Sequence, residues 1–80
     1  MNEDQILEEI NRIFKEVFDN DNLHVNPNTT ANDIDEWDSL MHIRLIISHE
    51  IKFNIKFTTQ EITELKNVGE FAYLINSKLA

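Results

Sequence analysis

No cysteine occurs among the 80 residues, and glycine and proline occur once each, as Gly69 and Pro27. Without thiols the chain forms no disulfide, offers no thiolate to a metal and has no cysteine nucleophile. The lone glycine and proline leave no tract of either residue to serve as a linker, and no internal repeat or low-complexity segment is present. Long apolar runs are missing too. Runs such as Leu45-Ile46-Ile47 are far short of a membrane span. Met1-Asn2-Glu3-Asp4 has neither the basic nor the apolar stretch of a signal peptide, so a cytoplasmic protein is expected.

Positive charge is also scarce: 7 Lys and Arg against 15 Asp and Glu, a net of −8. Residues 1–38 hold 11 acids and 2 bases, and residues 39–80 hold 4 acids and 5 bases. An acidic first half repels phosphate backbones and anionic lipid, which makes nucleic acid and membrane surfaces poor partners and favours a basic protein surface. Most of these charges serve solubility on helix faces. A chain of this length is expected to form one domain over 1–80, a monomer, burying roughly 60% of its unfolded surface. That leaves no room for a deep pocket and a full catalytic set, so a binding, carrier or interaction module is expected and an enzyme is not.

Helical spacing dominates what is present. Ile6, Leu7, Ile10, Ile13, Phe14, Val17 and Phe18 make one apolar stripe, with Asn2 or Asp4 as cap and Asp19-Asn20-Asp21-Asn22 as stop. Residues 19–38 are a long polar connection, and such loops tend to be functional. Leu23, Val25 and Ile34 are expected to pin it to the core, and Ala31–Ile34 can form a turn of helix. A second helix is expected from Ser39 to Lys52, capped by Asp38, with Leu40, Ile43, Ile47 and Ile51 turned inward and widened by Leu45 and Ile46. Phe53, Ile55 and Phe57 suit an extended connector that buries both phenylalanines. Thr58-Thr59-Gln60-Glu61 fits a capping box for a short third helix through Ile62 and Leu65. Asn67-Val68-Gly69-Glu70 repeats it for a last helix with Val68, Phe71, Ala72, Leu74, Ile75 and Leu79 on its apolar side. The expected fold is all-α: a small antiparallel bundle of three main helices plus one short one.

The segment Trp37-Asp38-Ser39-Leu40 stands where the acidic loop meets the second helix. A serine in the first turn lies beside unpaired backbone N–H groups and the positive end of the dipole, which together stabilise a phosphate attached there. Asp38 caps the helix and adds charge that helps hold a divalent ion in phosphoryl chemistry. Leu40 begins the expected buried stripe, and Met41 is expected to face outward. Trp37 either packs on the loop or meets a partner. An ordinary cap that is never modified is the plain alternative, and the tripeptide alone is weak.

In its order of elements, its Asp-Ser-Leu motif and the stretch from Leu45 to Phe57 with Glu50 and Phe53, the chain resembles the acyl carrier protein family. The form Trp37-Asp38-Ser39-Leu40 looks most like discrete carriers of specialised pathways. The resemblance implies 4′-phosphopantetheine moved from coenzyme A onto Ser39 by a phosphopantetheinyl transferase with Mg²⁺, with Asp38 and Leu40 flanking the attachment. It implies an acyl group held on the cofactor thiol as a thioester, loading by a ligase or acyltransferase, and no catalysis by the carrier. An aminoacyl or D-alanyl carrier on the same scaffold is the nearest alternative, and an unmodified helical interaction module the next.

Three departures stand out. The second helix holds His42, Arg44, His49 and Lys52 with Glu50 its only acid, where fatty-acid carriers are strongly acidic, so dedicated partners are expected. His49 stands at an inward position usually held by leucine, which counts against a long buried acyl chain. Ile51 replaces an acid and is either a partner contact or core.

Other chemistry is poorly supported. His42 and His49 are about 10 Å apart along a helix axis, too far to share a metal, and are expected to be one surface and one half-buried side chain. His24 lies in a polar loop with no evident acid–base partner. Asp19-Asn20-Asp21-Asn22 starts like a calcium loop but lacks its glycine and its final glutamate. No Gly-x-Ser-x-Gly surrounds Ser39. Phe14, Phe18, Phe53, Phe57, Phe71 and Tyr73 read mostly as core.

Overall fold

A computed structural model describes residues 2–79; Met1 and Ala80, the ends of the expected domain, lie outside the described residues. Regular structure among the described residues is wholly helical. It comprises α1 (Glu3–Val17), a 3-10 turn (Ala31–Asp33), α2 (Ser39–Phe53), α3 (Thr59–Glu64) and α4 (Val68–Leu79). The expected three main helices and one short helix are present, and α1 packs against both α2 and α4.

Local chemistry sets most boundaries. Asn2 accepts the Gln5 N–H at 2.9 Å while the Gln5 side chain accepts the Asn2 N–H at 3.0 Å, a reciprocal cap. After Phe18, Asp19 takes φ 51°, a left-handed conformation that a short polar side chain tolerates. Asp38 opens α2 by accepting the Met41 N–H at 2.9 Å. The helix ends at Phe53, one residue beyond expectation, closed by Asn54 at φ 55°. Thr58 and Glu61 form the expected capping box, at 3.1 and 2.8 Å. At α4 the pattern is looser: Asn67 accepts the Glu70 N–H at 2.8 Å, but Glu70 reaches back to Lys66 instead.

Of the expected inward stripe of α2 only its widening pair, Leu45 and Ile46, is buried, and the rest faces solvent. Leu45, Ile46, His49 and Phe53 are buried, whereas Leu40, Ile43, Ile47 and Ile51 are 59, 54, 49 and 77% exposed. Both sets recur at helical spacing, and periodicity selects a face only where the opposite one is polar. The aromatic set decides it. His49 stacks on Phe53 at 6.2 Å, meets Phe71 of α4 edge-on at 4.4 Å and Phe14 of α1 at 6.2 Å. Leu40 therefore does not open a buried stripe, and Met41 packs against the core instead of facing outward. On α4, Tyr73 and Leu79 are likewise exposed, at 70 and 37%. Tyr73 lies about 200° around the helix from buried Phe71, and Leu79 is the last helical residue.

The long loop is fastened more firmly than its composition suggests. Val25 is fully buried, and Leu23 and Ile34 pack against the core as expected. The buried Asn11 side chain of α1 clasps Val25 at both backbone groups, accepting its N–H at 2.7 Å and donating to its carbonyl at 2.9 Å. At the start of α4, the Val68 N–H donates to Thr29 O at 2.9 Å and the Gly69 N–H to Pro27 O at 2.8 Å. A Cβ on Gly69 would stand 2.9 Å from Pro27 O, so the single glycine marks the closest backbone approach. These ties deliver the end of the loop to the start of α2.

Candidate functional site

Ser39 is the first residue of α2 and is exposed. The first N–H groups of a helix have no intrahelical acceptor and carry the positive end of its dipole. Asp38 satisfies that of Met41, leaving those of Ser39 and Leu40 beside the serine hydroxyl. Among the described residues the Ser39 hydroxyl engages no hydrogen bond. Asp38 and Ser39 are thus brought together as the sequence implies, with Leu40 next to them on the solvent side.

Trp37 packs against the end of α1 without being fully enclosed. Its ring packs edge-on against Phe14 at 5.3 Å and Phe18 at 6.4 Å, yet the residue is only half-buried. With Ala31, Asp38, Ser39, His42 and Ile43 it lines an open hollow around the serine. Behind that hollow lies a largely apolar cavity of about 60 Å³, bounded by residues that include Phe14, Leu45, Ile46, Val68 and Phe71. Ala31, Trp37 and His42 line both spaces. The Trp37 indole N–H donates to His42 Nδ1 at 3.2 Å, and His42 Nε2 lies 3.3 Å from Ile62 O. Because Nδ1 accepts, Nε2 carries the proton and donates to the carbonyl.

The histidines depart from the expected surface and half-buried pair. His42 is half-buried and His49 is fully buried. His49 Nδ1–H donates to Leu45 O at 2.6 Å, and its Nε2 has no partner. Burial pushes its pKa from 6.5 down to about 4, against the opposing pull of the Leu45 carbonyl. His49 is therefore neutral at ordinary pH. His24 is exposed. Among the described residues no three His, Cys, Asp or Glu side chains converge as metal ligands.

From Ser39 the exposed face of α2 runs through Leu40, Ile43, Ile47 and Ile51, with Arg44 exposed beside it. Lys52, further along the same helix, is held by Glu9 at 3.3 Å. Sequence reasoning missed the Trp37–His42–Ile62 chain and the Asn11 clasp. Nothing local marks either, because each joins residues brought together only by packing. No described helix is long and apolar enough to cross a membrane.

No family model and no curated protein matches the chain. Among solved structures it is similar to a holo acyl carrier protein from Geobacter metallireducens, determined by solution NMR. The two are 47% identical with a TM-score of 0.87, over 92% of this chain and 85% of that one. Fold and sequence together define a small helical carrier rather than a catalyst. The chain belongs to the acyl carrier protein family.

Proposed function

We propose that Ser39 bears a covalent 4′-phosphopantetheine and that the protein, one domain over 1–80, hands acyl intermediates between enzymes as thioesters. The observation that carries this reading is the place of Ser39: exposed, at the N-terminus of a capped 15-residue helix, in a chain 47% identical to a holo carrier. The residues fit the group. The hydroxyl is free, the hollow around it is open, and the neighbouring N–H groups favour a phosphate. In the transferase complex, Ser39 Oγ attacks the coenzyme A phosphate that bears the pantetheine arm. Its proton passes to a base of the transferase, and adenosine 3′,5′-bisphosphate leaves. Asp38 fixes the first turn of α2 and would supply a carboxylate to help hold the Mg²⁺ of that reaction, while Leu40 would offer an apolar contact. Bound there, the cofactor supplies the thiol that this cysteine-free chain lacks.

Partners of the carrier are then the transferase, a loading ligase or acyltransferase, and downstream biosynthetic enzymes in the cytoplasm. The α2 face that would meet them is apolar with the cation Arg44 beside it, which suits dedicated enzymes over the basic surfaces that acidic carriers meet. An aminoacyl or D-alanyl cargo is the second reading, supported by the small size of the cavity behind Ser39. Offering the holo protein acyl and aminoacyl donors with their ligases separates the two. A mass gain released by neutral hydroxylamine identifies a thioester and its cargo. A holo protein that accepts no cargo from any donor would contradict the carrier reading.

A further inference from the structure

The apolar cavity and the hollow that holds Ser39 share three lining residues, Ala31, Trp37 and His42. Trp37 and His42 face both spaces, their rings lie 5.9 Å apart at an interplanar angle of 26°, and the hydrogen bond between them is continued from His42 to Ile62 O. The partition therefore spans three parts of the fold: the end of the long loop, the first turn of α2 and the end of α3. An arm on Ser39 that entered the cavity between Trp37 and His42 would part that chain of hydrogen bonds. Doing so would break two half-buried hydrogen bonds, of the indole N–H and of the Ile62 carbonyl, which is unfavourable. The space behind the partition is also small. At about 60 Å³ it is less than half of the roughly 150 Å³ that admits one benzene ring. Deeper insertion meets Phe14 and Phe71 packed against the fully buried His49.

We propose that His42 is a specificity-determining residue: by bolting Trp37 to α3 it narrows the way from Ser39 into the cavity, so the carrier takes short acyl groups that ride outside the helices. This inference rests on the reading of Ser39 as the attachment site. His42 needs no contact with the thioester. It acts by holding the partition, and a residue that restores the hydrogen bond should restore the behaviour.

The test uses the full chain loaded at Ser39 with acetyl- or octanoyl-phosphopantetheine by a broad-specificity transferase. Two readouts follow: the rate at which hydroxylamine releases each acyl group, and the emission of Trp37, the one tryptophan in the chain. In the wild-type protein both groups should be released at similar rates, with the same tryptophan emission. In His42→Ala the octanoyl group should be released several-fold more slowly than acetyl and should shift the emission. His42→Gln should return towards wild type, and Trp37→Phe, which cuts the same bond from the other side, should match His42→Ala in release rate. Slow release of octanoyl from the wild-type protein would overturn the proposal. So would equal release of both groups from His42→Ala and Trp37→Phe. Failure of the underlying reading looks different, since neither acyl-pantetheine mass would then be added at all.

Discussion

His49 brings an ionisable ring to the centre of the core, where Phe14, Phe53 and Phe71 leave its Nε2 without a partner. Its folded pKa of about 4 lies below the ordinary 6.5 because burial disfavours the cation. The unfolded chain therefore binds the proton more readily than the folded one, and stability falls as pH falls. Well above pH 6.5 the ring is neutral in both states and adds no pH dependence; the loss accumulates down to about pH 4. Between about pH 7.5 and pH 5 it amounts to about 2 kcal/mol. Urea unfolding of wild type and His49→Leu should show that much less pH dependence in the variant. Parallel pH profiles would place the acid sensitivity elsewhere. Ser39 is the converse case, exposed and free of hydrogen bonds, so its removal should leave the fold untouched.

At the scale of the element, α2 carries two apolar faces, one for the core and one for solvent. Ile47→Glu and Leu45→Ala separate them. The first should change stability by no more than about 0.5 kcal/mol yet slow loading by the native partner enzyme. The second should cost about 2–5 kcal/mol by opening a cavity. A destabilised Ile47→Glu, or one loaded at the wild-type rate, would remove the outer face from the docking surface. Arg44→Glu should alter the loading rate without altering stability. The same helix shows where the sequence stopped being legible. Caps at Asn2, Asp38 and Thr58, and the stop after Phe18, were readable because each is local chemistry within a few residues. The rotation of α2 was not, since Leu40, Ile43, Ile47 and Ile51 repeat as regularly as Leu45, Ile46, His49 and Phe53. Only the rings of Phe14 and Phe71, distant in sequence, decide between them. The candidate site divides in the same way: Asp38 and Ser39 stand together in the chain, whereas His42 meets Trp37 and Ile62 only in the folded bundle.

Across the whole molecule, the position of Ser39 depends on how the long loop is held between α1 and α4. Asn11 supplies the buried clasp on Val25, and the start of α4 binds Pro27 and Thr29. Asn11→Leu should cost about 2–4 kcal/mol, because it leaves the Val25 N–H and carbonyl unpaired. Amide exchange at Val25 should quicken with it. An unchanged stability would mean that the apolar contacts of the loop suffice alone. The lack of any cysteine and the open, unengaged hydroxyl at the head of α2 converge on one claim, that the working thiol is brought in on Ser39. The measurement that tests it most directly is fragment mass spectrometry after incubation with coenzyme A, Mg²⁺ and a phosphopantetheinyl transferase. We expect one phosphopantetheine, localised to Ser39 and absent from folded Ser39→Ala. An unmodified protein, with the same transferase active on another carrier, or an arm found on a different residue, would contradict the account.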